Sequence, residues 1–541
     1  MNVIIEKFMC WGQEAGDSLD LALKKSPGRV VLLLGLAAFL YTRGYSLWTG
    51  VPLPGIHDEM SYWLAADTFA HGRLNNPVHP MWEHFETYHE MMQPSYMSKY
   101  PPANGLFLAL GQIGGHPVFG VWLATALSVA ALYLMLVRVL PGRMALGGTL
   151  LLGYTLINIP YFSNTYMGIN VSFLGGCLFY LAVLDLLQNG FCKKAPWIPL
   201  ALGLLIMANS RPFEGFIVAL PVLTALAVWI LYKHRSSIFG IFCSAWPGLG
   251  VLVAGLVLMG LYNYKATGHI LKMPYSAYEE QYTSVPVFLF LPVRPEIHSS
   301  HPEMQKFEDA ARSFFLQEKT RKWPQRFLDR VVGRPKMAAP AKTYFWIVPL
   351  LFVLGVWYCH SRWAWWSGGL IAWFFFCHSF TTWFNVQYLG VLFPLFFYLI
   401  LRGTARFLDC EHAMPGWRKI ACGLLVTAVV LMNFGFYFQM AKRLGNQSSF
   451  RKFREHRHQL ELALGAQPGG SLVLVDYTPD HDVNQEWVYN QADIDQAPVV
   501  WARSMGQERD REIADYFKNR KLWKLHVGVD AETLVEAGKS N

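Results

Sequence analysis

The chain has 541 residues, of which 53% are hydrophobic and 15% charged, with a formal net charge of +9. Soluble domains carry roughly 25% charged residues, and the mean hydropathy here is +0.24, which together exclude a large soluble enzyme. The surplus of Lys and Arg fits anchors at anionic lipid; with no basic stripe interleaved with stacking aromatics, it does not point to nucleic acid.

Long apolar runs recur, such as VVLLLGLAAFLY from Val30, FLGGCLFYLAVLDLL from Phe173 and IVPLLFVLGVWY from Ile347. A span takes roughly 20 apolar residues, and backbone in lipid must bond to itself, so these runs predict helices. About eleven spans result, near 29–48, 117–138, 144–161, 168–187, 196–209, 212–232, 239–262, 343–359, 364–382, 384–401 and 418–439. Residues 1–28 are polar, and the run after them is too long for a signal h-region, so it reads as a retained anchor. Lys24, Lys25 and Arg29, then Arg138, Arg143, Lys193, Lys194, Lys233, Arg235 and Arg362, mark alternate short loops. The positive-inside rule puts those loops and the N-terminus in the cytoplasm and the C-terminus outside. Loops 49–116 and 263–342 and the tail 440–541 are then extracytoplasmic. No cysteine falls in them, so no external disulfide framework is expected.

In the first external loop, residues 60–71 (MSYWLAADTFAH) predict an amphipathic helix lying on the membrane surface, with Trp63, Ala66, Phe69 and Ala70 at helical spacing. A short polar helix is predicted at 83–90. Lys99-Tyr100-Pro101-Pro102 turns the chain back, and 105–113 is too short to cross, so it reads as interfacial. The second loop predicts a charged helix near 302–330. The tail predicts a small α/β unit, with helices at 448–464 and 509–520 and strands at 472–475, 499–501 and 522–527.

Several residues can carry chemistry. His57-Asp58-Glu59 follows the first span, where two carboxylates at a lipid interface are costly unless used or solvated; the competing reading is Asp58 as a helix N-cap with Glu59 on the helix dipole. Glu83, His84, Glu86, His89 and Glu90 form a second cluster, read as a solvated helix face with Glu86 and Glu90 at i and i+4. Arg211 and Glu214 flank Pro212 at membrane depth, either as an arginine fork for a lipid phosphate or as a salt bridge bracing a helix break. Lys99 meets phosphate or snorkels to headgroups. Asn385, Gln387 and Tyr388 line a cavity or end a helix. His57 and Tyr100 stand beside these groups.

The stretches HDEMSYWLAADTFAHGRLNNP and SKYPPANGLFLALGQ, with NSRPFEG, MPYSAYEEQY, VYNQADID and VVWAR further on, resemble the GT-C glycosyltransferases. The bacterial relatives of protein O-mannosyltransferases and of the lipid A aminoarabinose transferase are similar. The resemblance implies an all-α polytopic membrane domain over 29–439 with the small α/β domain behind it, in a bacterial inner membrane. It implies a polyprenyl-phosphate-sugar donor and a saccharide, lipid or protein acceptor. It also implies a first-loop carboxylate as catalytic base, here Asp58 with Glu59 beside it. Lys99 and Arg211 are then expected at the donor phosphate, and His57, Tyr100, Glu214, Asn385 and Tyr388 around the cavity. A divalent cation held by Asp58, Glu59 and His57 is the cofactor the pattern allows. The competing reading is a non-catalytic or flippase-like protein for lipid-linked saccharides.

Overall fold

The computed structural model describes residues 18–23, 25–158, 160–332, 361–409, 449–528 and 532–537. Nine of the eleven expected spans fall on these residues, and each carries a helix. The spans at 343–359 and 418–439, and residues 1–17 of the N-terminal segment, lie outside the described residues.

In chain order, α1 (Pro27–Thr49) leads to α2 (His57–Ala70), then to a small hairpin of β1 (Glu90–Met91) and β2 (Met97–Ser98), and to α3 (Pro102–Ile113). Six membrane helices follow: α4 (Val118–Leu136), α5 (Gly142–Ile157), α6 (Ile169–Asn189), α7 (Trp197–Ala208), α8 (Pro212–Lys233) and α9 (Ile238–Thr267). The second loop carries α10 (Pro274–Tyr282), α11 (Pro302–Thr320) and α12 (Trp323–Val332). Then come α13 (Arg362–His378) and α14 (Phe393–Asp409). The tail holds α15 (Ser449–Gly465), β3 (Ser471–Tyr477), β4 (Val499–Arg503), α16 (Gln507–Tyr516), β5 (Lys521–Val527) and β6 (Glu532–Glu536).

Among the described residues, α1, α4, α6, α8 and the helical stretch containing α9 are long and apolar enough to cross a bilayer, and the protein is an integral membrane protein. Helix α6 is the centre, with Phe173, Cys177 and Phe179 fully buried, whereas α9 turns Val257 and Leu258 outward. Apolar side chains facing out on a span are where lipid sits. Helices α6 and α7 approach closely because Gly203 has no side chain: a Cβ there would stand 2.7 Å from the backbone nitrogen of Phe179.

The tail sheet runs β4-β3-β5-β6, parallel across β4, β3 and β5 and antiparallel at β6. Side chains alternate along a strand. Leu472, Leu474, Val500 and Ala502 therefore face one way, against Leu64, Phe85 and Met92 of the first loop. Val473, Val475, Val499 and Trp501 face the other way, under α15. Both faces are covered, which is why β3 and β4 read as unbroken apolar runs. The charged edge strand β6 lacks that signature and was not anticipated.

The tail corrects two expectations for the first loop. Helix α2 does not lie open on the membrane: Leu64 is buried under the tail sheet, and Tyr62 and Ala66 are buried against Leu108 of α3 and Val118, Val121 and Trp122 of α4. Nor is 83–90 a solvated helix. It is a 3-10 turn, Trp82–Phe85, running into β1, and His84, Glu86 and Glu90 are buried. Arg503 explains part of this burial. Its Nε donates to the Glu86 carbonyl at 2.7 Å, one terminal nitrogen pairs with Glu486 at 2.6 Å, and the other pairs with Glu303. The VVWAR motif thus staples the tail to the 49–116 and 263–342 loops.

Candidate active site

Helix α2 starts at His57 behind an extended Ile56. Asp58 is therefore inside the first turn and is not the N-cap. Successive helical residues point about 100° apart, so Asp58 and Tyr62 share one face while Glu59 and Trp63 share another.

The β1–β2 hairpin brings two distant residues to the Asp58 face. Its register pairs Glu90 with Ser98, so His89 and Lys99 stand side by side just outside it. The Lys99 N–H donates to the His89 carbonyl at 3.1 Å. Ser61, one turn beyond Asp58, donates to the same carbonyl at 2.6 Å and meets Ser98 at 2.7 Å. The Tyr278 hydroxyl accepts from the His89 N–H at 3.0 Å. These bonds hold His89 at a φ of +65°, a left-handed conformation that few non-glycine residues adopt and that clusters at functional sites.

His89 Nδ1 lies 2.7 Å from Asp58 Oδ1, and the Tyr100 hydroxyl donates to the same oxygen. Tyr100 is fixed in turn by stacking on Tyr62, with ring centroids 4.5 Å apart. Asp58 Oδ2 has no hydrogen-bond partner among the described residues and is left to accept. Burial pushes the Asp58 carboxyl up, but the bonds from His89 and Tyr100 and the charge of Lys99 outweigh it, and the group is held below the ordinary carboxylate range. Burial and Lys99 together pull the His89 imidazole down, against its bond to Asp58.

Two cations complete the site. Lys99 is buried, with its Nζ 4.4 Å from the Tyr278 ring centre, 5.3 Å from Tyr275 and 5.4 Å from Tyr100. Burial pulls the ammonium down, against Glu279 and Asp58. Arg211 stands in the break between α7 and α8, kept out of the helical conformation because Pro212 follows it, and its guanidinium lies 4.9 Å over the Tyr388 ring. Neither cation makes an ion pair or side-chain hydrogen bond among the described residues. The charges of Arg211 and Asp58 both bear on the Tyr62 hydroxyl, which burial pushes up to about 12.

The remaining expected site residues divide. His57 is buried with its Nδ1 2.8 Å from the Tyr489 hydroxyl of the tail and its ring edge-on to His89; burial pulls it down to about 3. Tyr388 supports Arg211, while Asn385 is exposed at the start of the turn that carries it. Glu214 does not pair with Arg211; it lies 3.5 Å from His378.

Glu59 is turned away from Asp58. It accepts from Thr165 at 2.7 Å, from the backbone N–H of Tyr166 at 3.3 Å and of Gly55 at 3.2 Å, and pairs with Arg454 at 3.3 Å. Four donors saturate it, and reaching back to the chain ahead of the helix is what an acidic residue in a first turn does. Asp58, Glu59 and His57 therefore each have separate partners, and they do not fit a shared cation. Among the described residues no group of three or more metal-ligating side chains gathers.

The sequence pattern places His89 on a solvated face, yet it is a direct partner of Asp58. The signal for the hairpin that delivers it was present in Pro94 and Ser95, turn residues between two short apolar pairs. The MPYSAYEEQY stretch supplies Tyr275, Tyr278 and Glu279 around Lys99. The VYNQADID stretch covers α2: the Ala492 N–H donates to Asp67 at 2.7 Å and the Tyr96 hydroxyl to the Asn490 carbonyl at 3.1 Å.

No family model and no curated protein matches the sequence. Solved structures do. ArnT from Cupriavidus metallidurans bound to undecaprenyl phosphate is 12% identical, with 92% of each chain covered and a TM-score of 0.53. The same protein in the apo state gives 12% identity, 92% coverage of each chain and a TM-score of 0.51. An Archaeoglobus fulgidus oligosaccharyltransferase tethered to an acceptor peptide gives 11% identity and a TM-score of 0.49, over 91% of this chain and 68% of that one. The likeness to ArnT is one of fold.

Proposed function

We propose that the chain is a glycosyltransferase that moves a sugar from a polyprenyl-phosphate donor to an acceptor hydroxyl on the extracytoplasmic side of the membrane. One arrangement carries this reading. Asp58 has one oxygen held by His89 and Tyr100 and the other left to accept, beside two cations that make no ion pair among the described residues. That a protein of the same fold binds undecaprenyl phosphate supports a lipid phosphate as the group those cations meet.

In this scheme the acceptor oxygen bonds to the anomeric carbon from the side opposite the phosphate. The bond from that carbon to the phosphate oxygen breaks, and its electron pair leaves with the phosphate. The acceptor proton passes to Asp58 Oδ2, so the anomeric centre inverts. The sugar carbon takes on oxocarbenium character, and the departing phosphate needs cationic stabilisation at the membrane edge, from Lys99 and Arg211. His89 and Tyr100 keep Asp58 ionised and aimed, so that its base function, typically worth about 10²–10⁴ in rate, is available. No step is routed through a metal.

The test is a panel of polyprenyl-phosphate sugars offered to the purified protein in liposomes with an envelope extract as acceptor. Release of polyprenyl phosphate from at least one donor, absent in Asp58→Asn, is expected. No release across the panel, or equal release by Asp58→Asn, overturns the reading.

A further inference from the structure

The face of α2 that carries Trp63 borders a hollow. A cavity of about 610 Å³ lies between α1, the start of α4 and the tail helix α15, within the range of roughly 300–1,000 Å³ usual for small-molecule sites. Phe39, Trp63, Phe119 and Trp122 give it aromatic walls, and Arg43, His116 and His458 gather on it; no acidic side chain lines it.

Arg43 lies six residues before the end of α1, so about 9 Å inside that end at 1.5 Å per residue. It has no ion pair or side-chain hydrogen bond among the described residues. A charged residue inside a span calls for a named partner. Snorkelling to headgroups accounts for a lone arginine. It does not account for a walled hollow with two imidazoles at the same place. His116 Nδ1 accepts from the Val118 N–H at 3.2 Å, which leaves its proton on Nε2 as a donor. The site thus offers donors and a positive charge at the headgroup end and aromatic surface below.

We propose that this cavity binds an anionic phospholipid of the bilayer, its phosphate among Arg43, His116 and His458 and an acyl chain against Phe39, Phe119 and Trp122. The site is separate from the one at Asp58. It is built in part by the tail, since His458 comes from α15, whose Arg454 also pairs with Glu59. A bound lipid therefore bridges the tail helix to the first span.

The experiment titrates phosphatidylglycerol, phosphatidylcholine and soluble glycerol phosphate against the purified full chain, with native mass spectrometry as the readout. Phosphatidylglycerol is expected to bind the wild type and a Lys99→Ala/Arg211→Ala double variant alike, and Arg43→Gln about tenfold more weakly. A phosphatidylglycerol with a photoreactive acyl chain is expected to label the peptide holding Phe119 and Trp122. Leu47→Trp, which fills the hollow without touching a charge, should suppress that label, and unfolding temperatures separate lost binding from lost folding. Equal affinity of Arg43→Gln and wild type, phosphatidylcholine binding as tightly as phosphatidylglycerol, or glycerol phosphate competing as well as the lipid overturns the proposal. Loss of the lipid in the Lys99/Arg211 variant with retention in Arg43→Gln would assign it to the Asp58 site instead, leaving the glycosyltransfer reading intact.

Discussion

The carbonyl of His89 accepts the backbone N–H of Lys99 at 3.1 Å. That bond closes the hairpin and sets an imidazole and an ammonium on either side of one carboxylate. The imidazole that bonds Asp58 and the Lys99 ammonium are therefore carried by one hairpin.

Asp58→Asn keeps the size of the side chain and removes its basicity. Turnover per folded molecule should fall by at least about 10²-fold, with a lower thermal unfolding midpoint, because the bonds from His89 and Tyr100 lose their charged acceptor. Turnover within a few-fold of wild type would remove Asp58 from the role of base.

Lys99 and Arg211 meet the phosphate in the proposed scheme both as it binds and as it departs, so Lys99→Ala and Arg211→Ala should each raise the KM for the donor and lower kcat. The double variant should be worse than either single one. A donor KM unchanged in both would dissociate these cations from the phosphate.

The pH dependence follows from Asp58. Its folded pKa lies below the ordinary carboxylate value, so it stays ionised, and its bonds to His89 and Tyr100 stabilise the fold, throughout the range above that value. Both are lost only as pH falls through the lowered folded pKa. Activity should thus show no acid limb between pH 7 and about pH 5. His89→Ala and Tyr100→Phe remove the bonds that lower the pKa, and each should move the acid limb upward. An unmoved limb in both would show that they do not set the charge of Asp58.

Glu59→Gln tests the neighbour. Its carboxylate is 2% exposed and accepts from four donors. Losing the charge should destabilise the protein by about 2 kcal/mol, since hydrogen bonds to charged groups are worth roughly 1.5–3 kcal/mol. Turnover per folded molecule should remain near wild type. A turnover loss as deep as that of Asp58→Asn, at normal stability, would return Glu59 to the reaction.

Arg503→Met leaves Glu303 and Glu486 facing each other without their shared cation. Breaking a buried pair on one side costs about 3–5 kcal/mol, so the variant should unfold earlier and release the tail to limited proteolysis. Wild-type resistance to protease would show that the tail is held elsewhere.

Much of the membrane part was readable, because lipid forces helices and makes a lone Arg211 or Asp58 stand out against apolar sequence. Glu59 misled because adjacency in sequence is divergence on a helix. His89 misled because Glu86 and Glu90, four apart, imitate a helix face, whereas the segment is a turn and a strand. The burial of α2 was unreadable in principle from local pattern: the residues that cover it, Tyr489 to Ala492, lie more than 400 positions away in the chain. The motifs that carried no evident chemistry, VYNQADID and VVWAR, turned out to be the covering itself.

The hydroxyl of Tyr489 resting on His57 also sets an order of events. The ribosome makes Tyr489 432 residues after His57, so the loop that bears Asp58 waits uncovered while the membrane helices between them are made. The cover over His57 exists only once Tyr489 has been made and has folded back onto the first loop.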